Sequence, residues 1–457
     1  MNSKVKRIHF FNSSIIKIVK PIWYFNIFLN NSKSWINYKN LDKTIIDKLD
    51  ICHDYNSRYL KEIDVGYQLL KRGFITQDYK NYDYINLEDA NYDITIKDQY
   101  IFIRRTYKKI WVYYVLLLRI LSLKVQMDDF YSIFKTKNIK KLQFNNPINY
   151  QDYNSFKSKL IKKKPLISII IPTLNRYKYL KSVILDLQKQ NYKNFELIII
   201  DQSKPFRTNF YKNYQLKIKV IQKKNRALWS ARNLGIRNSS GDFFLFLDDD
   251  SIIGANWVSD HLKCIDYFDA DISAGISISK IGAPVPSNYN YFRTADQLDT
   301  GNVLIKKHVF EMCGLFDLQF EKMRMGDGEF GLRAHLKGFK SIHNPLSKRT
   351  HLKVKKGGLR EMGSWDGLRP MNLLSLRPIP SVLYFYRKYW GDTNAFFSLL
   401  QTIPFSLSPY RIKGRLIGYL FSIVVFILFY PIIIYKVYQS WKFSEKMLKS
   451  ESIIDDL

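Results

Sequence analysis

Three adjacent carboxylates, Asp248-Asp249-Asp250, close the apolar run Asp242 to Leu247 (DFFLFL). Side by side they repel one another strongly unless a positive charge sits among them. A hard divalent cation, Mn2+ or Mg2+, held by one or two carboxylates and by substrate phosphates, meets that need. An acidic turn capping a following helix would use the same residues. A second acidic cluster, Asp327-Gly328-Glu329, stands before Phe330 and Leu332. A carboxylate there can take the proton of an attacking hydroxyl, and it also suits the first turn of a helix. His351 follows Lys348-Arg349, and His343 stands upstream of it; a lone histidine is more often structural than a ligand, although a neutral imidazole can bind a divalent ion. Downstream, Lys353 and Arg360 flank the pair Gly357-Gly358, where the backbone could approach a phosphate closely.

These groups need elements to hold them. Leu166 to Ile171 (LISIII) is a short β-branched run closed by Pro172, which is how a strand buried on both faces reads. Leu180, Val183, Ile184 and Leu187 then fall at helical spacing within 179–190. Phe195 to Ile200 (FELIII) is a second strand, ending at Asp201, and Ile218 to Ile221 is a third. A helix through Ala227 to Ile236 leads to the fourth strand, which ends at the acidic triplet. The alternation predicts a doubly wound α/β sheet, whose ligands lie at the carboxyl ends of the strands. Pro172, Asp201 and Asp248 all belong to that edge.

The chain has 457 residues, which suggests more than one structural unit. Residues 1–160 are rich in Tyr, Asn and Lys, carry no motif, and form an N-terminal extension of mixed or helical character. Within it, Ile110 to Val125 is strongly apolar but interrupted by Arg119 and Lys124, the pattern of a buried or interfacial helix rather than a span. Residues 165–364 form the α/β domain and 365–457 a C-terminal helical region. Leu416 to Tyr435 runs for twenty residues without a charge, enough for a bilayer core, so membrane insertion is expected. Pro431 allows a kinked or re-entrant helix instead. Arg411, Lys413 and Arg415 ahead of the segment place the α/β domain on the cytoplasmic side.

The charge, 72 Lys+Arg against 40 Asp+Glu, favours an anionic partner: nucleic acid, an anionic membrane surface or a phosphorylated substrate. No nucleic-acid-binding module accompanies it, so nucleic acid is set aside. Cys52, Cys264 and Cys313 lie far apart without CxxC spacing, which excludes a disulfide scaffold and fits a reducing compartment. The N-terminal stretch does not read as a signal peptide.

Six motifs occur in order: PLISIIIPTLNR (165–176), FELIIIDQS (195–203), RALWSARNLGI (226–236), GDFFLFLDDDS (241–251), TGNVLIKKHVFEMCGLFD (300–317) and GDGEFGLRAHLKG (326–338). Together they resemble the family 2 inverting glycosyltransferases, of GT-A fold, over about residues 165 to 360. The resemblance implies a Rossmann-like, mostly parallel central sheet and transfer of a sugar from a nucleotide-diphosphate donor, typically a UDP-sugar. It implies that Pro172, Thr173 and Asn175 line the nucleotide pocket and that Asp201 holds the base. Arg226, Arg232 and Asn233 would hold ribose and phosphates, joined by Lys353 and Arg360. Asp248 and Asp250 match the outer positions of a DxD motif. Asp248 and Asp250 then hold the metal, Asp250 most directly, with His351 completing the shell, and Asp248 and Asp249 also stand beside the donor. Asp327 takes the place of the catalytic base, although Gly326 stands where the family usually has Glu. Gly301, Asn302, Gly328 and Glu329 fall on the acceptor side, and Arg333 matches a later position. The implied acceptor is a saccharide or a lipid-linked glycan made at the cytoplasmic face of a membrane. Transfer to a polyprenyl phosphate, and a catalytically inactive membrane scaffold, are the alternative readings.

Overall fold

The computed structural model describes residues 15–22, 33–36, 38, 41–75, 84–86, 94–279, 285–295, 298–354, 374–409, 412 and 414–457. The chain divides into two units, residues 1–149 with 386–400, and residues 150–385 with 401–457.

The first unit is helical. Its elements are α1 (Ile16–Val19), α2 (Lys43–Ile46), α3 (Arg58–Lys71), α4 (Ile96–Thr106), α5 (Ile110–Leu121) and α6 (Met127–Lys135), with one short antiparallel pair, β1 (Lys33–Ile36) and β2 (Tyr84–Asn86). Leu60 and Ile63 of α3 share one buried core with Tyr100, Phe102 and Ile103 of α4 and Val112 and Val115 of α5. Thr95 starts α4 through a reciprocal cap with Asp98, which satisfies two otherwise orphaned amides. Inside, Arg105 pairs with Asp64 at 2.6 Å.

The second unit carries the sheet. After α7 (Lys159–Lys163) come β3 (Ile167–Thr173), α8 (Tyr177–Gln188), β4 (Phe195–Asp201), β5 (Ile218–Gln222), α9 (Leu228–Arg237), β6 (Phe243–Leu247), β7 (Ser251–Ile253), α10 (Trp257–Phe268), β8 (Ile272–Ser279), β9 (Arg293–Thr294), β10 (Asn302–Lys306), α11 (Lys307–Cys313), α12 (Gly326–Leu336) and β11 (Ser341–His351). The nine strands run in the order β5-β4-β3-β6-β10-β8-β11-β7, with β9 beside β11. The half from β5 to β6 is wholly parallel. Beyond it, β10 is antiparallel to both neighbours, β8 and β11 pair in parallel, and β7 and β9 are antiparallel to β11.

Burial on both faces explains the apolar runs. Ile167, Ile169 and Ile171 of β3 face Leu180, Val183, Ile184 and Leu187 of α8, together with Trp257, Val258 and Leu262 of α10. The alternate residue Ile170 meets α9 on the other face, where a Cβ at Gly235 would stand 2.5 Å from its Cγ2. A side chain there would lift the helix off the sheet. Both layers are needed because successive strand residues point to opposite faces.

The C-terminal region continues with α13 (Pro380–Thr402), broken at Gly391 (φ 80°), then α14 (Leu416–Leu428) and α15 (Tyr430–Lys449). Residues 386–400 of α13 belong to the first unit. The uncharged segment 416–435 is not one helix: α14 and α15 meet at an 89° bend. Pro431, second in α15, has no amide to give, and its ring would clash with the carbonyl four residues earlier, so α14 cannot run on. Among the described residues no single helix is long and apolar enough to cross a membrane, while this bent pair qualifies together. After α15 the chain returns to the segment that follows α11. The Leu315 and Leu318 amides donate to the carbonyls of Asp455 and Ile453, at 2.8 and 3.0 Å.

Candidate active site

Strand β6 ends at Leu247, and its continuation delivers the acidic triplet to the carboxyl edge of the sheet. Each carboxylate then finds a different partner. Asp248 accepts from two buried guanidiniums, Arg232 of α9 at 3.2 Å and Arg349 of β11 at 2.9 Å. Asp249 accepts from the Thr173 hydroxyl at 2.8 Å and from Arg176 at 3.0 Å. Asp250 takes the Val354 amide at 3.2 Å on Oδ2, and Arg176 stands 3.3 Å from the same oxygen. Four carboxylates, counting Asp299, thus share three guanidiniums.

Strand β11 brings His351 to this point because it pairs antiparallel with β7, with His351 opposite Ser251. The ligand atoms of Asp248, Asp250 and His351 lie within 4.8 Å of one another. The Asp250 Oδ1 atom is buried and accepts no well-aligned hydrogen bond, although His351 Nε2 is 3.2 Å away. A buried carboxylate oxygen met only by a poorly aligned imidazole nitrogen is better satisfied when a cation lies between the two. Two hard oxygens and one imidazole around that atom fit Mn2+ or Mg2+.

The protonation chemistry follows from the same crowding. Burial pushes the Asp249 carboxyl up to about 7, against the pull of Arg176. Burial acts on Asp250 too, but the imidazole of His351 and the Arg176 guanidinium leave it below the usual carboxylate range. Burial also raises Asp327, with the negative charge of Asp299 adding to the effect and Arg232 opposing it.

Asp327 sits in the first turn of α12, at the wall of a cleft whose floor holds Asp248, Asp249 and Asp250. Pro172, Trp229, Arg232, Asp299 and Thr300 line the same cleft, and residues 322–325 form its rim. That rim is tied down by Glu321, whose carboxylate accepts the first amides of α9 from Leu228, Trp229 and Ser230. Lys322 and Met325 within it have left-handed backbone, φ 62° and 77°. Gly326, where the resemblance leads one to expect Glu, is explained here: a Cβ would stand 2.5 Å from the Trp229 indole.

The structure separates the other predicted residues. Asp201 is buried and already accepts the Tyr177 and Tyr211 hydroxyls, each at 2.7 Å, and the Ser203 amide at 2.8 Å. Asn175 is exposed at φ 55° and exchanges bonds with Ser203 and Lys204. Arg226 is exposed ahead of α9, and Lys353 is half-buried just past β11. Asn233 bonds both backbone groups of Phe316. Asn302 is wholly buried, joining Trp257, His261, Ile276 and Ser347. Glu329 is buried in a two-toothed pair with Arg333. Gly328 donates its amide to Asp327, and Gly301 donates to Asp299. His343 faces the Tyr289 carbonyl. Arg360 and Gly357-Gly358 lie outside the described residues.

Three side chains at the centre escaped sequence reasoning: Arg176, Asp299 and Arg349. Arg176 ends the motif at 165–176, and Arg349 lies two residues before His351 on the same strand, β11. Nothing local marks Asp299.

Residues 168–323 match the model of glycosyl transferase family 2. A glycosyltransferase of Streptococcus pneumoniae, GlyA, is 32% identical over 166 residues, 35% of this chain and 22% of its own length. An uncharacterised glycosyltransferase of Haemophilus influenzae is 37% identical over 86 residues, 19% of this chain and 29% of that one. The chain therefore spans less than a third of the length of either relative. Among solved structures, the mannosyltransferase of Pyrobaculum calidifontis with GDP-Man and Mn2+ is 13% identical with a TM-score of 0.43, covering 65% of this chain and 91% of that one. Staphylococcus aureus TarS 1-349 with UDP-GlcNAc is 18% identical at 0.42, covering 61% and 81%. At TM-scores of this size, the donors and the metal remain properties of those two proteins.

Proposed function

We propose, for a chain that residues 168–323 place in glycosyl transferase family 2, that it transfers a sugar from a nucleotide-diphosphate donor with inversion, with a divalent metal bound at the site. The observation that carries this reading is the convergence of Asp248, Asp250 and His351, two of which line a cleft that Asp327 also lines.

In this reading the acceptor hydroxyl loses its proton to Asp327 as its oxygen bonds to the anomeric carbon. The bond from that carbon to the pyrophosphate breaks on the opposite side, and its electron pair leaves with the nucleoside diphosphate. A carboxylate whose affinity for protons is raised by burial suits the role of base. Mn2+ or Mg2+, held by Asp248, Asp250 and His351, would supply positive charge beside the leaving pyrophosphate. Arg232 lies on the cleft wall with its guanidinium fixed by Asp248 and the Thr300 carbonyl, so it faces the developing charge without reorganising. Lys322 and Arg324 on the rim add cations.

The acceptor is a saccharide or a lipid-linked glycan for the cell surface. The exposed apolar side chains of α14, among them Leu416, Ile417, Ile427 and Leu428, favour a membrane site and a lipid-linked acceptor. The decisive test is Asp327→Asn, with donor binding followed by calorimetry and transfer by product analysis. Transfer should fall by 10²-fold or more while donor affinity stays within about threefold. Equal loss of both would remove Asp327 from the role. A screen of UDP-, GDP- and dTDP-sugars, with and without Mn2+, then identifies the donor by its stabilisation of the folded chain.

A further inference from the structure

The first unit holds a feature that the proposed transfer does not use. From Ile110 to Phe134 its outer surface is mostly apolar, with Ser122, Lys124, Gln126 and Asp128 exposed around the turn between the helices. On α5, Ile110, Tyr113, Leu117, Ile120 and Leu121 are 42 to 71% exposed, at positions three, four or seven apart on one face. On α6, Met127, Phe130, Tyr131 and Phe134 repeat the pattern, 48 to 81% exposed. Between the helices Leu123 is 93% exposed with φ 55°. A left-handed turn residue is normally Gly or Asn, so leucine there carries both backbone strain and an uncovered side chain.

The inner faces show that this surface is held in place. Val112, Val115 and Arg119 of α5 are buried, as are Asp129 and Ser132 of α6. Arg119 and Asp129 join the two helices through a buried ion pair at 2.8 Å, and the Tyr100 hydroxyl donates to the same carboxylate at 2.9 Å. Arg104 ties the end of α6 through Thr136 and the Ile133 carbonyl. The apolar residues therefore cannot turn inward without breaking a buried polar network. An exposed apolar patch fixed in this way marks a binding surface.

Charge selects the occupant. Between residues 108 and 141, Lys108, Lys109, Lys124, Lys135, Lys137, Lys140 and Lys141 are all exposed, against one exposed acid, Asp128. Lys135 and Lys137 lie over the rings of Tyr131 and Phe134, at 5.5 and 4.5 Å, the posture of a chain whose stem follows apolar surface while its ammonium reaches outward. Apolar and aromatic residues rimmed by lysine complement an anionic lipid surface. At twelve residues, α5 is about 18 Å long, too short to cross a bilayer core of about 30 Å.

We propose that the α5–α6 hairpin is a monotopic docking surface that inserts its apolar face into the headgroup region of an anionic phospholipid bilayer. This inference is independent of the catalytic reading and of α14–α15. The test places an environment-sensitive fluorophore on the full chain at Leu121→Cys, with Lys193→Cys on the second unit as the control; the native Cys52, Cys264 and Cys313 are buried. The labelled proteins are mixed with phosphatidylcholine vesicles with or without phosphatidylglycerol, carrying spin-labelled lipid as a quencher.

The expected result is a blue shift and quenching at position 121 with the anionic vesicles, and neither at position 193. Combining Lys108→Gln, Lys109→Gln and Lys124→Gln should raise the half-saturating lipid concentration for that signal about fivefold per lysine, or roughly a hundredfold together. Leu117→Glu should abolish the signal while the far-UV circular dichroism is unchanged. The proposal is overturned if the label at 121 stays in water on vesicles that bind the protein, which would assign the surface to a protein partner. It is equally overturned by matching quenching at 121 and 193, or by a response indifferent to phosphatidylglycerol.

Discussion

Replacing Arg349 by Met isolates the interaction that sequence reasoning overlooked. The Arg349 side chain is 1% exposed and reaches four acceptors: Asp248 at 2.9 Å, Asp299 at 2.9 Å, and the Ser277 and Ser251 hydroxyls at 2.6 and 3.0 Å. The four contacts do not weigh equally. Asp299 is 43% exposed, so water compensates for much of its loss, and that pair contributes at most about 1 kcal/mol. Asp248 is 21% exposed and keeps Arg232, yet it loses the shorter of its two partners. Removing one member of a largely buried pair costs about 3–5 kcal/mol, and the retained Arg232 argues for the lower end. The expected loss is therefore about 3 kcal/mol, or roughly 6–12 °C in melting temperature at this domain size. Arg349→Lys keeps the charge but not the planar fork and should lose about half as much. Urea unfolding followed by tryptophan emission measures both, with Asp299→Asn as the companion. If Arg349→Met lies within 1 kcal/mol of the parent, or if Asp299→Asn costs more than Arg349→Met, then Arg349 is not the residue that holds this cluster.

Gly301→Ala attacks the same arrangement from the backbone, since the new Cβ would stand 2.3 Å from the Arg349 guanidinium. It should cost about 1–3 kcal/mol in the parent and clearly less in the Arg349→Met background, as a double-mutant cycle in urea would show. Asp250→Asn should abolish any Mn2+-dependent rise in melting temperature, because it removes the negative charge from the carboxylate that faces His351 in the ligand set. An unchanged rise would move the metal elsewhere. His261 is buried between Ser273 and Asn302, and burial lowers its pKa from 6.5 to about 4. The unfolded chain thus takes up the proton first, and the His261 contribution of roughly 3 kcal/mol is lost as pH falls from about 6.5 to 4. His261→Gln should flatten the stability profile in that window. Asp64, raised to about 6 by burial, acts in the opposite direction but cancels in the comparison between parent and variant.

What could be read in the chain and what could not divides along a physical line. The parallel strands β3, β4 and β6 were legible because burial on both faces demands an unbroken apolar run, and LISIII, FELIII and FFLFL supply one. The triplet at the end of β6 was legible because like charges at a strand end need a cation. The other half of the sheet was hidden. Strand β11, SIHNPLSKRTH, looks polar because its inward residues meet other polar groups: Asn344 bonds Ser273 and Ser347, and Arg349 bonds Asp248. A strand whose core is made of hydrogen bonds and ion pairs carries no hydrophobic period for inspection to find.

The same reasoning separates the residues of the site. The acidic triplet could be proposed from its own chemistry, and Asp248, Asp250, Asp327 and His351 took their separate roles from the resemblance. Arg176, Asp299 and Arg349 have no chemistry of their own to announce them, since an arginine or an aspartate is ordinary until its partner is known. Their role exists only in the pairing, and the pairing follows from register. Strand β11 sets Arg349 opposite Ile253 and His351 opposite Ser251, two residues apart on one strand and therefore on one face. A slip of one residue would send both away from the acidic triplet at once. The ligand and the cation beside it are thus a single consequence of how β11 pairs with β7. Any substitution that shifts that register should remove metal binding and the Asp248 ion pair together.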